Sequence, residues 1–345
     1  MAHMIPDLLI RRLREMELPV DTDGVEARPG DKTPAGCQDG AYRPTPIDIV
    51  VTRVMLTRSK GLPPDVVDDI FDMAEYWAHS TNAVNYQTEH QDHLRISQDS
   101  KFLLRSFPLG LTGIHGNPDD AENLAEELVY DTTEAKPLPL QKEYDARYFA
   151  KMARYPTPRL AHPCRKIVFS IRGHDQGWGG ELDSRGTYKS SWTWYEAGLE
   201  RLDAAQDCDT KCTYDVRRES PTSNPPPLPV CGLRPIQPRT ELGENQDYEY
   251  VHPLLHEDPY VIRRNKTSMS EWQDHVITWS YADDIKAESG EGEELDEDGR
   301  GCASGDGSFV RSLKMGDVVT IWGKARFPGW VNNVECVKVD VYWAV

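Results

Sequence analysis

Tryptophan is distributed very unevenly along this chain, and this constrains the fold more than any other feature. Eight of the nine tryptophans lie at or beyond Trp178, and large aromatic side chains supply much of the volume of a core. In the same half, apolar and polar residues alternate over residues 166–171, 191–196 and 272–279. Alternation with period two indicates half-buried strands, and turns separate them. The sequence therefore predicts a mainly β protein with an antiparallel β-sandwich that begins near Cys164.

The sequence predicts three regions. Residues 1–45 comprise Met-Ala-His-Met, which looks like a tag remnant, then a short helix and a flexible linker. Residues 46–160 form a smaller helical or mixed N-terminal region, and residues 161–345 form the sandwich. Insertions interrupt that sandwich at about 203–230 and 283–307. The second is rich in Asp, Glu and Gly, so we expect a flexible, solvated loop there.

The clearest helix candidate covers residues 62–77. Its prolines suit a first helical turn, and Val67, Ile70 and Phe71 fall on one apolar stripe. The other helix candidates are shorter and lie over residues 5–20, 119–129 and 140–154.

Composition disfavours several classes of partner. The formal net charge of −18 disfavours phosphate backbones and anionic bilayers, so neither nucleic acid nor membrane is expected as a partner. No apolar run approaches the roughly 20 residues of a membrane span, and no signal peptide is recognised. The seven cysteines are odd in number and irregularly spaced, which favours reduced thiols and a cytoplasmic or nuclear location.

Four segments carry a resemblance to known proteins. They are SIRGHDQGWGG at 170–180, GTYKSSWTWYE at 186–196, LKMGD at 313–317 and ARFPGWVNN at 325–333. Together they resemble a fungal family of uncharacterised cytosolic proteins that includes a pair in budding yeast. The resemblance covers roughly the C-terminal half and implies a jelly-roll or galactose-binding-like sandwich. It implies no activity.

Two segments at the strand ends, which we expect to line the same end of the sandwich, carry the candidate ligand-binding residues. These are Asp175, Gln176, Trp178 and Arg185 in the loop after the first sandwich strand, and Trp330 and Asn332 near the end of the chain. Glycines in the loop let a ligand approach the backbone, tryptophan offers a flat apolar face, and the polar groups give directional hydrogen bonds. The alternative is a structural loop whose polar side chains cap backbone groups, with Trp330 buried in a turn.

Two other functions stay open. Asp175, Glu181 and Glu196 could supply the acid and base of a carbohydrate-active hydrolase, although acidic residues are abundant enough to give such sets by chance. The 62–77 segment also looks like the opening of an F-box, the docking element of ubiquitin-ligase substrate adaptors. Its tryptophan, Trp77, comes too early for that pattern.

No metal, cofactor or catalytic residue is assigned. The spacings Cys208-x3-Cys212 and His90-x2-His93 lack the further ligands that zinc requires. The favoured hypothesis is a non-catalytic intracellular recognition protein that binds a carbohydrate or protein ligand through its sandwich loops. The sequence does not indicate its oligomeric state.

Overall fold

A computed structural model describes most of the chain. The described residues are 43–87, 91–111, 134–152, 156–181, 183–206, 230–252 and 260–345. Several predicted segments lie wholly or mostly outside them, namely the helices at 5–20 and 119–129, the linker before residue 45 and the insertion at 203–230.

Strands dominate the described residues. The strands are β1 (Ala78–Asn85), β2 (Leu94–Ser97), β3 (Asp99–Arg105), β4 (Cys164–His174), β5 (Thr193–Leu202), β6 (Leu233–Gln237), β7 (Arg239–Leu242), β8 (Tyr248–Val251), β9 (Val261–Arg264), β10 (Gln273–Ser280), β11 (Val318–Ala325) and β12 (Val331–Trp343). The helices are α1 (Pro46–Ser59), α2 (Pro64–Met73), α3 (Ala146–Met152), α4 (Gly290–Glu297) and α5 (Ser308–Ser312).

Ten of the twelve strands in the described residues form two antiparallel sheets, and β7 and β8 pair with each other in a small sheet of their own. The first sheet has the order β1-β12-β4-β10, with β2 also paired to β12. The second sheet has the order β3-β11-β5-β6, with β9 also paired to β5. Neighbours along the chain, such as β4 and β5 or β11 and β12, lie in opposite sheets, which is the strand order of a jelly roll. The predicted fold class, an antiparallel β-sandwich, is confirmed.

Alternating side chains build the core between the sheets. In β4 the buried Ile167, Phe169 and Ile171 alternate with more exposed residues. The ring of Phe169 meets that of Trp279 from β10 nearly edge-on, with centroids 5.0 Å apart. Burying each such side chain stabilises the fold by about 1.5–3 kcal/mol. The core therefore accounts for the period-two pattern in the sequence.

The sandwich begins before residue 161. Strand β1 pairs with β12 along its whole length, from Ala78 opposite Trp343 to Asn85 opposite Cys336. Strands β2 and β3 are separated only by Gln98, whose φ of 51° turns the chain from the first sheet to the second. The N-terminal region therefore contributes three strands to the sandwich.

Helix α2 confirms the prediction over residues 62–77. Its stripe buries Val67 and Phe71 in the sandwich core, and Ile70 packs against that core. Helix α1 precedes it and begins with a capping box in which Thr45 and Asp48 bond reciprocally. The shorter helix α3 lies within the predicted 140–154 segment.

The acidic segment 283–307 is ordered, so the prediction of a flexible loop is wrong. It contains α4, whose first turn is capped by the Ser289 hydroxyl accepting from the Gly292 amide at 3.2 Å. Arg264 of β9 donates to Asp296 at 2.7 Å and fixes the helix to the second sheet. Acidic residues near the helix N-terminus are favourable to the helix dipole. Counting charge and glycine alone missed these tertiary contacts.

The cysteines also differ from expectation. Cys164, Cys302 and Cys336 are free, but Cys231 is disulfide-bonded, so the prediction of reduced thiols throughout is wrong. None of the helices in the described ranges is long and apolar enough to cross a bilayer.

Candidate functional site

Three loops meet at one end of the sandwich. They connect β4 to β5 (175–192), β9 to β10 (265–272) and β11 to β12 (326–330), and we call them together the loop end. The backbone amide of Gly186 donates to the Thr267 carbonyl at 2.8 Å, which joins the first two loops. The two sequence segments predicted to share an end of the sandwich do so.

Asp175 ties two of these loops together. Its side chain is fully buried, and it accepts from the amides of Gly177 at 2.7 Å, Ser268 at 2.6 Å and Met269 at 2.9 Å. Burial raises the pKa of Asp175 above its ordinary value, although the three N–H donors act in the opposite direction. The carboxylate therefore has a structural role at the loop end, pointing away from solvent.

Gln176 joins the first loop to the third. Its Oε1 accepts from the Val331 amide at 3.0 Å, and its Nε2 donates to the Trp178 carbonyl at 2.6 Å. One end of the amide thus holds the backbone at Trp178, and the other end holds this loop against the start of β12.

Asn332 lies at the centre of a buried polar network beneath the loops. Its Oδ1 accepts from the Tyr195 hydroxyl at 2.9 Å and from Asn265 Nδ2 at 3.0 Å. Its Nδ2 donates to the carbonyls of Trp194 at 3.1 Å and Lys324 at 3.3 Å. The side chain is fully buried, so Asn332 connects the two sheets and does not face a ligand.

Trp178 is the most exposed tryptophan side chain of the loop end. The residue is 64 % exposed, and Gly177 and Gly179 beside it have φ of 83° and 96°, a region that favours glycine. A Cβ at Gly329 would lie only 3.1 Å from Cη2 of Trp178. The indole therefore lies against the third loop.

A second aromatic group lies in the third loop. The ring of Phe327 is 38 % exposed and meets that of Trp192 nearly perpendicularly, with centroids 4.7 Å apart. The Arg326 guanidinium lies over both rings, at 5.8 Å from Trp192 and 5.0 Å from Phe327. Sequence reasoning did not select these three residues. The Phe-Pro-Gly turn in their segment was the available signal.

The remaining candidates divide by exposure. Arg185 is exposed in the first loop, and Trp330 is half-buried in the third. Of the carboxylates considered for hydrolysis, Glu181 is exposed, whereas Asp175 and Glu196 are buried. The structure therefore gathers the loop candidates at one end, where Trp178 and Arg185 are exposed and Gln176 and Trp330 are half-buried. Asp175 and Asn332 are buried.

Metal ligation has little support in the described residues. They contain no group of three or more His, Cys, Asp or Glu side chains arranged to hold an ion. His90, Cys208 and Cys212 lie outside the described residues. His93 Nε2 lies 3.1 Å from Oδ1 of Asn333.

Comparison with known proteins returned nothing: no family model, curated protein or solved structure matches the chain. The resemblance to a fungal family stays a prediction. The loop end presents the flat apolar ring of Trp178, the partly exposed ring of Phe327 and the exposed guanidinium of Arg185. Buried hydrogen bonds hold the loops that carry them.

Proposed function

We propose that this protein is a non-catalytic recognition protein that binds a carbohydrate at the loop end. The observation that carries the proposal is that Trp178 is 64 % exposed on a loop in which the preceding Asp175 and Gln176 are both bonded internally. An exposed tryptophan is costly to leave in water and is readily covered by the apolar face of a sugar ring.

Anchoring of the loop supports this proposal. Asp175 and Gln176 bond to the backbone at Gly177 and Trp178, and they also accept from the second loop and from the first residue of β12. A ring held in one position loses little conformational entropy when it binds, so more of the stacking energy remains as affinity.

The size of the aromatic surface favours a carbohydrate over a protein ligand. A stable protein interface buries about 800 Å² on each partner and involves roughly 20–30 residues. Here the exposed aromatic residues are Trp178 and Phe327, and the exposed polar residues Glu181 and Arg185 follow Trp178 in the first loop. One or two stacking rings with hydrogen-bonding neighbours suit a sugar of one to a few units.

Absence of catalysis is part of the proposal. Glu196, one of the carboxylates considered for hydrolysis, accepts from Trp194 Nε1 at 2.6 Å and pairs with Lys324. Asp175 is held by backbone amides. A glycosidase needs two carboxyl groups flanking an open bond-cleavage position, and two of the three candidates are buried.

The cellular location is proposed as cytoplasmic or nuclear. Free Cys164, Cys302 and Cys336 support a reducing compartment, whereas the disulfide at Cys231 argues against one. Imaging the tagged full chain, with non-reducing gels of the protein from the same cells, tests this location.

The binding experiment uses the full chain, because β1, β2 and β3 precede the C-terminal half and belong to the sheets. Parent and Trp178→Ala proteins are applied to arrays of oligosaccharides and peptides. We expect the substitution to weaken each carbohydrate hit about tenfold, which corresponds to about 1.4 kcal/mol.

The matched control is Val276→Ala, an equally exposed apolar residue on the outer face of the first sheet. This control should bind as the parent does. Equal binding by Trp178→Ala and parent at every hit would show that the proposed surface is wrong, and hits confined to peptides would replace the sugar with a protein ligand.

A further inference from the structure

The second sheet is buried on both faces along its central strands. Every residue of β11 is buried, and so is nearly every residue of β5. One face of these strands packs into the sandwich core through Tyr195, Ala197 and Ile321. The residues that alternate with them lie on the outer face, where a sandwich usually meets water.

One part of this outer face is a small apolar core. Leu202 of β5 and Val318 of β11 cluster there with Leu233. Phe149 of α3 and Ala135 cover them. This part needs no explanation beyond ordinary packing.

The rest of the outer face, which we call the covered face, is charged. Glu200 accepts from Arg105 through two bonds, Nε to Oε2 at 2.9 Å and Nη2 to Oε1 at 3.2 Å, and both side chains are almost fully buried. Two residues earlier on the same face, Gly198 leaves room for Thr320. At the other end, Glu196 forms an ion pair with Lys324, again with both side chains buried.

Trp322 lies in the middle of the covered face. Its Nε1 donates to the Thr320 hydroxyl at 3.1 Å, and the ring of Phe102 meets it edge-on at 5.4 Å. The rings of Tyr250 and His252 lie over it with centroids 5.2 Å and 5.1 Å away. These two rings come from the end of β8, so the β7–β8 hairpin covers the tryptophan.

The hairpin is weakly attached. Strands β7 and β8 form a two-stranded sheet of their own and pair with neither large sheet. Leu242 is 59 % exposed and Val251 40 % exposed. A two-stranded hairpin alone is only marginally stable in water. Over Trp322 this hairpin is attached through the ring contacts of Tyr250 and His252 and through a hydrogen bond from the Tyr250 hydroxyl to the Ala135 carbonyl at 2.7 Å.

Burying two ion pairs under the hairpin adds little net stability to the fold. Desolvating charges offsets most of their attraction, and apolar residues of similar volume often give equal or greater stability. The neighbouring apolar part of the same face shows that this sheet accommodates such a solution. The charged groups and the tryptophan therefore point to a role other than packing.

We propose that the covered face is a second ligand site, for a neutral oligosaccharide, and that the β7–β8 hairpin closes it in this structure. A sugar ring takes the place of the Tyr250 and His252 rings against Trp322. The site lies on a different surface from the loop end, and the proposal does not depend on binding there.

The charges of the covered face favour a neutral, hydroxyl-rich ligand. Arg105 and Lys324 carry two positive charges, and Glu196 and Glu200 carry two negative ones, so the face has no net charge to select an ion. The carboxylates accept hydrogen bonds, the cations donate them, and the Thr320 hydroxyl does both. Sugar hydroxyls match such a mixed surface, and the indole matches the apolar face of the ring.

The experiment compares oligosaccharide binding by a protein whose hairpin keeps the Tyr250 and His252 rings with binding by one that lacks both rings, which we call the released protein. All proteins are full chains that carry Trp178→Ala, which removes the loop-end contribution, and the probe is an array of neutral and uronic-acid oligosaccharides. Adding Tyr250→Ala and His252→Ala should raise affinity for neutral members about tenfold, because a binding-competent state that was rarely populated becomes common. Val251→Ala, on the opposite side of the hairpin, should give no gain.

A second pair of substitutions tests the site itself. Glu196→Gln with Lys324→Met keeps the side-chain shapes but removes the charged partners, and it should abolish the gain. No gain in the released protein, with its circular dichroism and cooperative melting retained, overturns the proposal. So does a gain that survives Glu196→Gln with Lys324→Met.

Hydrogen exchange covers the case in which the released protein does not fold. Saturating the Trp178→Ala protein with neutral oligosaccharides should speed amide exchange over residues 239–251, because the ligand displaces the hairpin. Unchanged exchange in that segment overturns the proposal.

Discussion

The loop end and the covered face both bury polar or charged groups, but they place a tryptophan in opposite ways. At the loop end, the polar groups of Asp175 and Asn332 are buried and bonded, while the indole of Trp178 faces water. On the covered face, Trp322 and the charged pair of Arg105 and Glu200 are all shielded from water. Both arrangements depart from the ordinary globule, in which large apolar groups are inside and charges outside.

The two regions also differ in how their surface segments are attached. Asp175 accepts hydrogen bonds from three backbone amides of the first and second loops, and those bonds fix the backbone that carries the indole. The hairpin over Trp322 is held by ring contacts of Tyr250 and His252 and by one neutral hydrogen bond, from the Tyr250 hydroxyl to the Ala135 carbonyl. Backbone hydrogen bonds to a charged group are each stronger than one ring contact.

The largest effect should come from the covered face. Arg105→Met leaves Glu200 buried without its bidentate partner, and breaking a buried pair in this way costs about 3–5 kcal/mol. Urea unfolding of the parent and the variant measures the change in free energy. The double variant Arg105→Met with Glu200→Met should recover most of that loss. A single variant within about 1 kcal/mol of the parent would contradict the buried pairing.

At the loop end, Asp175→Ala should cost about 3 kcal/mol, because three amides lose a charged acceptor in a buried place. Asp175→Asn keeps one acceptor oxygen and should cost less. Chemical unfolding measures both, and the matched control is Asp183→Ala, an exposed carboxylate in the same loop. A loss no larger than that of the control would show that Asp175 does not hold the loops together.

The sequence predicted the sandwich because its signal is local. Alternation along β4 and β10 follows directly from one buried and one exposed face. Strand β1 escaped notice because five of the eight residues in its sequence, AHSTNAVN, are polar and show no clear alternation. Only its pairing with β12 makes it a strand. The acidic segment failed for the same reason, since Arg264 and the Ser289 cap, not composition, order it.

The candidate site was predictable in location but not in role. Glycines around Trp178 marked a loop that approaches something closely. Asn332 and Asp175 looked like ligand-binding groups in the sequence, yet their partners are Tyr195 and backbone amides from distant segments. Whether a polar side chain faces solvent or a buried donor depends on tertiary contacts, which no local pattern contains.

Lowering the pH should affect the two regions differently. The expected loss of unfolding free energy is smaller than those of Arg105→Met and Asp175→Ala. Burial lowers the pKa of His275, beneath the loop end, to about 3, against about 6.5 in an unfolded chain. The unfolded chain therefore takes up the proton first, so stability is complete above pH 6.5 and falls as the pH drops towards 3. Between pH 7 and 5 we expect a loss of about 2 kcal/mol from this group, at about 1.36 kcal/mol per pH unit.

His275→Gln should make that dependence less steep in urea unfolding at pH 5, 6 and 7. On the covered face, burial and the nearby charge of Lys324 lower the pKa of His252 to about 3 as well. Its protonation should loosen the hairpin, so amide exchange over residues 239–251, corrected for the intrinsic pH dependence, should rise before that of β11. Equal changes in both segments would mean that the hairpin opens only with the whole sandwich.

The smallest effect on stability should come from Trp178→Ala. Because the side chain is 64 % exposed, its removal should change the free energy of unfolding by no more than about 0.5 kcal/mol. Thermal melting checks this against Trp279→Ala, a fully buried tryptophan of β10, which should cost about 3–5 kcal/mol. A large loss of unfolding free energy in Trp178→Ala would mean that the ring supports the third loop. The indole would then belong to the packing of the loop end. A small loss leaves binding as the reason for placing a tryptophan there.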